Sequence, residues 1–285
     1  LTKFIDVLVK QKESFAMHTK VRDFMRPGVL TCRKETRIGQ VAVMLDQHKV
    51  HSLMVTDRDG RIIGVITDFD LLAGEWLSQD PESLNVMKSL TAGDLMSSPV
   101  ASIEADAPIK EAADRMIKEV IRRLLVTDQG KPVGVISVSD IVAHIAMSAP
   151  IGRGQVGDVM SDAYLVCRDK TPIAAAARAM TSTGWRSVVV VDRKGSPLGV
   201  VSGLDLLPVC LDDECGTKLV TEVMHPALTV PIDATLQEAA NKMIESHYHR
   251  LVVIDPEDPD SMPLGVISSF DIVGLMAHPN SVWQK

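Results

Sequence analysis

Aromatic residues are scarce in this 285-residue chain, with three Trp, two Tyr and five Phe making up 4% of it. A core short of rings has to be filled by Val, Ile, Leu, Met and Ala, a bias that suits helices laid on sheets. The apolar share of 46% is ample for packed domains, and the length suggests roughly two. Long apolar runs are also missing. Segments such as Ser187–Val191 (SVVVV) fall far short of the ~18 residues a bilayer-crossing helix needs, so no membrane span is expected. The four cysteines show no metal spacing: Cys32 and Cys167 stand alone in strand-like apolar segments, and Cys210 and Cys215 are separated by four residues. Buried thiols in a reducing cytoplasm are the simplest account, and cytoplasmic is the expected location. A surplus of positive charge is lacking too. At a net charge of −7 a broad phosphate-tracking surface for nucleic acid is disfavoured, which leaves small anions as partners.

What the chain does have is repetition. The segments VRDFM, AGDLM, VGDVM and VTEVM end at Met25, Met96, Met160 and Met224. Matching segments GVITDFD, GVISVSD, GVVSGLD and GVISSFD place a hydroxyl at Thr67, Ser137, Ser202 and Ser268, and an Asp three residues later at Asp70, Asp140, Asp205 and Asp271. Self-similarity at a fixed interval governs the architecture and has to be read before any fold is assigned.

Within each copy the hydrophobic period changes in a fixed order. β-prone residues near VLTC, VASI, YLVC and LTVP come first. Thr36, Ala107, Thr171 and Thr235 then open helices, with Pro108 and Pro172 expected at the first helical position. Apolar residues recur at i, i+3, i+4 and i+7, as in Ile109, Ala112, Ala113 and Met116, so one face of each helix is apolar. A short buried strand, a turn such as DRDG or DRKG, and the glycine-bearing strand follow, and a second helix starts at the Asp. The order is β–α–β–β–α. The expected units are a helix or arm at 1–20 and repeats at 21–80, 91–147, 155–211 and 219–278. Connectors at 73–91 and 143–157 separate them, and an acidic insertion, DPEDPDSM, is expected as a solvated loop in the fourth hairpin. One such unit has a sheet face it cannot cover alone, so four copies should form two pairs.

The hydroxyl and carboxylate three residues apart have two readings. They can cap the following helix, or the carboxylate can accept ribose hydroxyls while the hydroxyl and helix amides meet phosphate. Both can hold at once. A second constellation stands just before the middle strand of each copy: His51-Ser52, Arg122-Arg123, Arg186-Ser187 and His249-Arg250. Arginine suits phosphate through charge and its forked geometry.

On the opening D/E-φ-M motif, the element order and the four Gly-φ-φ-Ser/Thr-x-x-Asp endings, the chain resembles a run of four CBS (cystathionine beta-synthase type) domains forming two tandem pairs, or Bateman modules. The resemblance covers nearly everything from Val21 to Met276. It implies an α+β regulatory fold that binds adenine nucleotides, AMP, ADP or ATP and sometimes S-adenosylmethionine, in clefts between paired repeats. ATP would bring Mg²⁺ with it. Carried onto this sequence, it makes Asp70, Asp140, Asp205 and Asp271 the ribose ligands. Phosphate would fall to Thr67, Ser137, Ser202, Ser268, Arg122, Arg123, Arg186, His249 and Arg250, and adenine would lie near Val29, Val100, Tyr164 and Leu228. Cross-pairing would bring Arg122 and Arg123 to the cleft of Asp70, and His249 and Arg250 to that of Asp205, the two sites expected to be strongest. His51 with Ser52 would serve Asp140, and Arg186 with Ser187 would serve Asp271.

The leading expectation is a nucleotide-responsive regulator. The alternatives are an interaction or dimerisation scaffold with relic clefts, associating through exposed helices, or the regulatory part of a larger enzyme or transporter. An enzyme in its own right is not expected, since no Walker-type loop, CxxC framework or HExxH motif occurs, and the His247-Tyr248-His249 cluster is a weak metal candidate.

Overall fold

The computed structural model describes residues 19–72, 86, 88–147, 154–211 and 218–277. The expected arm at 1–20 lies almost wholly outside these residues, as do most of the connector 73–91 and Cys215. Among the described residues, no helix is long and apolar enough to cross a membrane.

The first repeat runs β1 (Arg26–Pro27), β2 (Thr31–Arg33), α1 (Ile38–His48), β3 (Ser52–Thr56), β4 (Ile62–Thr67) and α2 (Asp68–Leu72). The second runs α3 (Ala92–Leu95), β5 (Ser102–Glu104), α4 (Ile109–Lys118), β6 (Arg123–Asp128), β7 (Lys131–Ser137) and α5 (Val138–Met147). The third comprises β8 (Leu165–Arg168), α6 (Ile173–Thr183), β9 (Ser187–Val191), β10 (Pro197–Ser202) and α7 (Gly203–Leu211). The fourth comprises β11 (His225–Pro226), β12 (Thr229–Pro231), α8 (Leu236–Ser246), β13 (Arg250–Ile254), β14 (Gly265–Ser268) and α9 (Ser269–Ala277). The architecture is α+β in the β–α–β–β–α order. The helix α5 continues to Met147 and buries Ile145, so the connector does not begin at 143.

Helix starts differ from the sequence reading by one residue. Pro108 and Pro172 are N-caps with extended ψ near 140°, just outside the helix, because the ring fixes φ without forcing ψ into the helical range. The hydroxyls of Thr36 and Thr171 instead accept the amides of Arg33 and Arg168 at 3.1 Å, closing the strand-to-helix turn. Thr235 does cap its helix: its Oγ1 accepts the Glu238 amide at 3.2 Å while Glu238 Oε2 accepts the Thr235 amide at 2.7 Å.

The repeats are joined by exchanged strands. The opening strand β1 of repeat one lies antiparallel on β7 of repeat two, in a sheet ordered β1-β7-β6-β5. The opening strand β11 of repeat four lies on β10 of repeat three, in a sheet ordered β11-β10-β9-β8. Bridges Val65–Ser97 and Ser161–Val266 return the exchange. Repeats one and two thus form one module, and repeats three and four the other.

The helical layer pairs the repeats differently. One buried cluster unites Ile38, Leu45 and Leu71 of repeat one with Ile173, Met180 and Leu206 of repeat three. Another unites Ile109, Met116 and Ile141 of repeat two with Leu236, Met243 and Ile272 of repeat four. Side chains such as Leu45, Ile109 and Met116 have no exposure, and each such burial stabilises by about 1.5–3 kcal/mol. The apolar helix stripes are therefore used up within the chain, where they clasp one module to the other. The acidic insertion is exposed from Pro256 to Asp260, yet it touches the third repeat: Ser196 Oγ donates to the Asp260 carbonyl at 2.6 Å, and directly after the insertion the Pro263 carbonyl accepts Tyr164 Oη at 2.6 Å.

Candidate functional site

Each Gly-φ-φ-Ser/Thr-x-x-Asp ending is a strand running directly into a helix, and the cap geometry repeats. The backbone amide and hydroxyl of Thr67, Ser137, Ser202 and Ser268 all donate to Oδ2 of the Asp three residues on, at 2.5–2.8 Å. Capping is thus realised in all four copies, and it occupies one carboxylate oxygen. The other oxygen differs by copy. Oδ1 of Asp140 accepts Arg26 Nε at 3.0 Å, and Oδ1 of Asp205 meets His225 Nε2 at 2.7 Å. Arg26 and His225 both follow the opening Met, from the exchanged strand of the sister repeat; Ser97 and Ser161 stand at that position in the other copies.

Two cavities sit beside these caps. The first, about 260 Å³, holds Ser202 and Asp205 beside His249 and Arg250, with Val200 and Leu228 as apolar wall. Arg122, Arg123, Arg186, Ser187, His51 and Asp68 line it as well. The second, about 420 Å³, holds Ser137 and Asp140 with His51, Ser52 and Val29. Arg123, His51, His249, Ser137 and Ser139 belong to both walls.

Four of the residues expected at the Asp70 and Asp271 clefts border the cavity of Asp205. Arg122, Arg123, Arg186 and Ser187 line the cavity of Asp205, and neither Asp70 nor Asp271, nor Thr67 or Ser268, lines either cavity. The cause lies in the helix packing: clasping repeat one to three and two to four brings the starts of all four middle strands to one centre. Val100 and Tyr164, expected at adenine, also line neither cavity, and Tyr164 packs with Val189 and Val252 between the sheets of repeats three and four. His247 is the left-handed C-cap of α8, and it and His249 both precede β13 and line the first cavity. Among the described residues no group of three His, Cys, Asp or Glu is placed to hold a metal ion.

The central basic cluster is electrostatically tight. Burial pushes the Arg250 guanidinium down to about 10, with Arg186 pushing the same way and Asp271 opposing. Arg122 is also pushed down to about 10, by burial and then by Arg186 and Arg250. Both remain cationic at neutral pH. Arg122 lies 5.0 Å over the Phe270 ring and Arg186 4.7 Å over Phe69, which orients each fork without neutralising it. His249, open to the cavity on one side and hemmed in by protein on the others, is driven down to about 4 by loss of hydration and by His51, Arg123, Arg26 and Arg250. Four arginines gathered at one cavity, with Asp68 and Asp271 as the nearby acids, are suited to holding an anion. Two of the thiols are unsuited to chemistry: burial raises Cys32 to about 11 and raises Cys167 as well, leaving both protonated.

Sequence reading missed three participants: Arg26, His225 and Asp68. The first two carried a signal, their shared place after the opening Met. Asp68 carried no repeated signal, since Val138, Gly203 and Ser269 stand at its place in the other copies.

The CBS domain family model matches residues 21–75, 92–147, 156–212 and 220–278. An uncharacterised protein of Methanocaldococcus jannaschii is 24% identical over 279 residues, covering 92% of this chain and 62% of its own length. Hypoxic response protein 1 of Mycobacterium tuberculosis is 27% identical over 128 residues, 45% of this chain and 85% of its own. The alignments with the Methanocaldococcus jannaschii protein and an uncharacterised Methanopyrus kandleri protein span 62% and 60% of those relatives. A solved Methanocaldococcus jannaschii structure, described as a candidate archaeal homologue of g-AMPK, superposes with a TM-score of 0.78 at 17% identity, covering 90% of this chain and 99% of that one. A Pyrococcus horikoshii structure gives 0.62 at 23%, covering 90% and 100%. At these identities the likeness is one of fold.

Proposed function

This chain belongs to the CBS domain family, and on that premise we propose that it is a regulatory protein binding an adenine nucleotide, AMP, ADP or ATP, in the cavity beside Asp205. The observation that carries this reading is that one cavity combines a carboxylate, an apolar wall and a cation cluster. Asp205, Val200, Leu228, Arg122, Arg123, Arg186 and Arg250 all line it. Oδ1 of Asp205, once released by His225, would accept ribose hydroxyls while Oδ2 keeps the cap. Ser202 and Arg250 flank the phosphate side, and Leu228 and Val200 offer the base an apolar face. The cavity beside Asp140 is a second candidate of the same kind.

A ligand at the first cavity would touch residues from all four repeats, so its binding energy would bear on how the two modules clasp. That is the physical basis for a regulatory output read by a partner or by a fused domain. The scaffold reading has less support, because the apolar stripes of α1, α4, α6 and α8 are buried within the chain.

Calorimetric titration with AMP, ADP, ATP and S-adenosylmethionine tests the proposal. Saturable binding of an adenine nucleotide near micromolar affinity, about −8 kcal/mol, is the expected result. Arg250→Ala should weaken ATP more than adenosine. No heat with any nucleotide, from folded and nucleotide-free protein, would leave the scaffold reading in its place.

A further inference from the structure

The residue directly after the hydroxyl in the four endings is Asp68, Val138, Gly203 and Ser269, so one copy alone places a charge there. Asp68 is buried, with 6% exposure, yet it lines the cavity of Asp205. Its carboxylate is fixed: Oδ2 meets His51 Nδ1 at 2.9 Å and Oδ1 accepts the Phe69 amide at 3.0 Å. Burial raises this carboxyl, but the His51 hydrogen bond and the charges of His51, Arg123 and Arg186 outweigh it and hold it below its ordinary value. A charged Asp68 therefore already serves as counter-anion to the arginine cluster.

Its place relative to the cap of α7 decides what that means. A methyl group built on Gly203, the matching position of repeat three, would lie 3.4 Å from Asp68 Oδ2. Gly203 is the first residue of α7 and lies between Ser202 and Asp205. A phosphate chain growing from a ribose at Asp205 past Ser202 would run along this helix start, towards Asp68. Each further phosphate would gain arginine contact and approach a fixed carboxylate at the same time.

We propose that Asp68 is a specificity-determining residue, a built-in counter-anion that turns this cavity against long phosphate chains and favours a nucleoside monophosphate over a triphosphate. The assignment rests on the nucleotide reading above. Asp68→Asn preserves shape and removes the charge. Asp68→Ser installs the residue that repeat four carries at this position, and decides the matter if the Asn variant does not fold.

Calorimetry on the full chain with adenosine, AMP and ATP is the test. Both variants are expected to raise the ratio of ATP to AMP affinity about tenfold, the scale of one removed charge a few ångströms away in a partly solvated site, with adenosine unaffected. A ratio within about twofold of the unmodified chain overturns the assignment. If the unmodified chain binds no nucleotide, the nucleotide reading falls by itself, and thermal melts with inorganic tripolyphosphate decide on Asp68. A larger stabilisation of the variants than of the unmodified chain sustains it, and equal responses overturn it.

Discussion

The α-carbon of Gly64 lies against the thioether of Met96: a methyl group built on the glycine would sit 2.3 Å from Met96 Sδ. The same relation links Gly134 with Met25, Gly199 with Met224 and Gly265 with Met160. The two most regular marks of the repeat, the glycine of the strand before the second helix and the methionine of the opening segment, are thus two sides of one contact between sister repeats. Each glycine exists to let the exchanged segment lie close.

The four contacts are not equally tolerant, which gives the first prediction. At Gly64 the obstacle is a flexible side chain, whereas at Gly134 it is the Arg26 carbonyl at 2.4 Å. Gly64→Ala and Gly134→Ala should each destabilise by about 1–3 kcal/mol. In thermal melts Met96→Ala should recover part of the loss in Gly64→Ala. Met25→Ala should recover little of the loss in Gly134→Ala, because a backbone oxygen cannot step aside.

Asp205 has two oxygens with two tasks, so its variants should separate them. Asp205→Asn keeps an acceptor for Ser202 and should melt close to the unmodified chain, while nucleotide affinity falls about tenfold or more as a charged acceptor is lost. Asp205→Ala should lose the cap as well, at about 1 kcal/mol. An Asn variant that binds nucleotide normally would remove Asp205 from the ligand site.

His249 predicts the acid response. Its folded pKa of about 4 lies below the ordinary 6.5, so the unfolded chain takes up a proton that the folded state refuses. The contribution to stability should fall as pH drops from about 6.5 towards 4. Melting temperature should decline over that window, and His249→Gln should decline less. Bound phosphate would favour the imidazolium, so nucleotide binding near pH 6 should take up protons, read as a buffer-dependent heat.

Val120 closes the first helix of repeat two with φ of 55°, in the left-handed region that β-branched residues avoid, and it is largely exposed. Repeat three has Gly184 at the corresponding place, with φ of 77°. Val120→Gly should stabilise by about 0.5–1 kcal/mol, the relief of strain less the added freedom of the unfolded chain. Gly184→Val should move the melt the other way.

How much of this was legible beforehand varies with the range of the interaction. Helix stripes such as Ile173, Ala176, Ala177 and Met180 are local, and they appear in the sequence as they appear in the core. The caps at Thr67 and Asp70 are local too, spanning three residues. The one-residue shift at Pro108 and Pro172 arises because a proline ring fixes φ but leaves ψ to the turn around it.

The sequence by itself determined the repeat, the order of elements within it and the four capped carboxylates, since each depends on residues close along the chain. The tandem pairing of repeats one with two and three with four was legible from the resemblance; tertiary structure alone decided that each pair exchanges its opening segments and which helices clasp across modules. Hence it alone decided that Arg122, Arg123, Arg186 and Arg250 share one cavity with Asp68 and Asp205. A period announces that apolar faces must be covered; it does not say by which copy, because four similar stripes offer nearly equivalent partners. The choice among them is made by the packing of the whole chain, and with it the charge of the site.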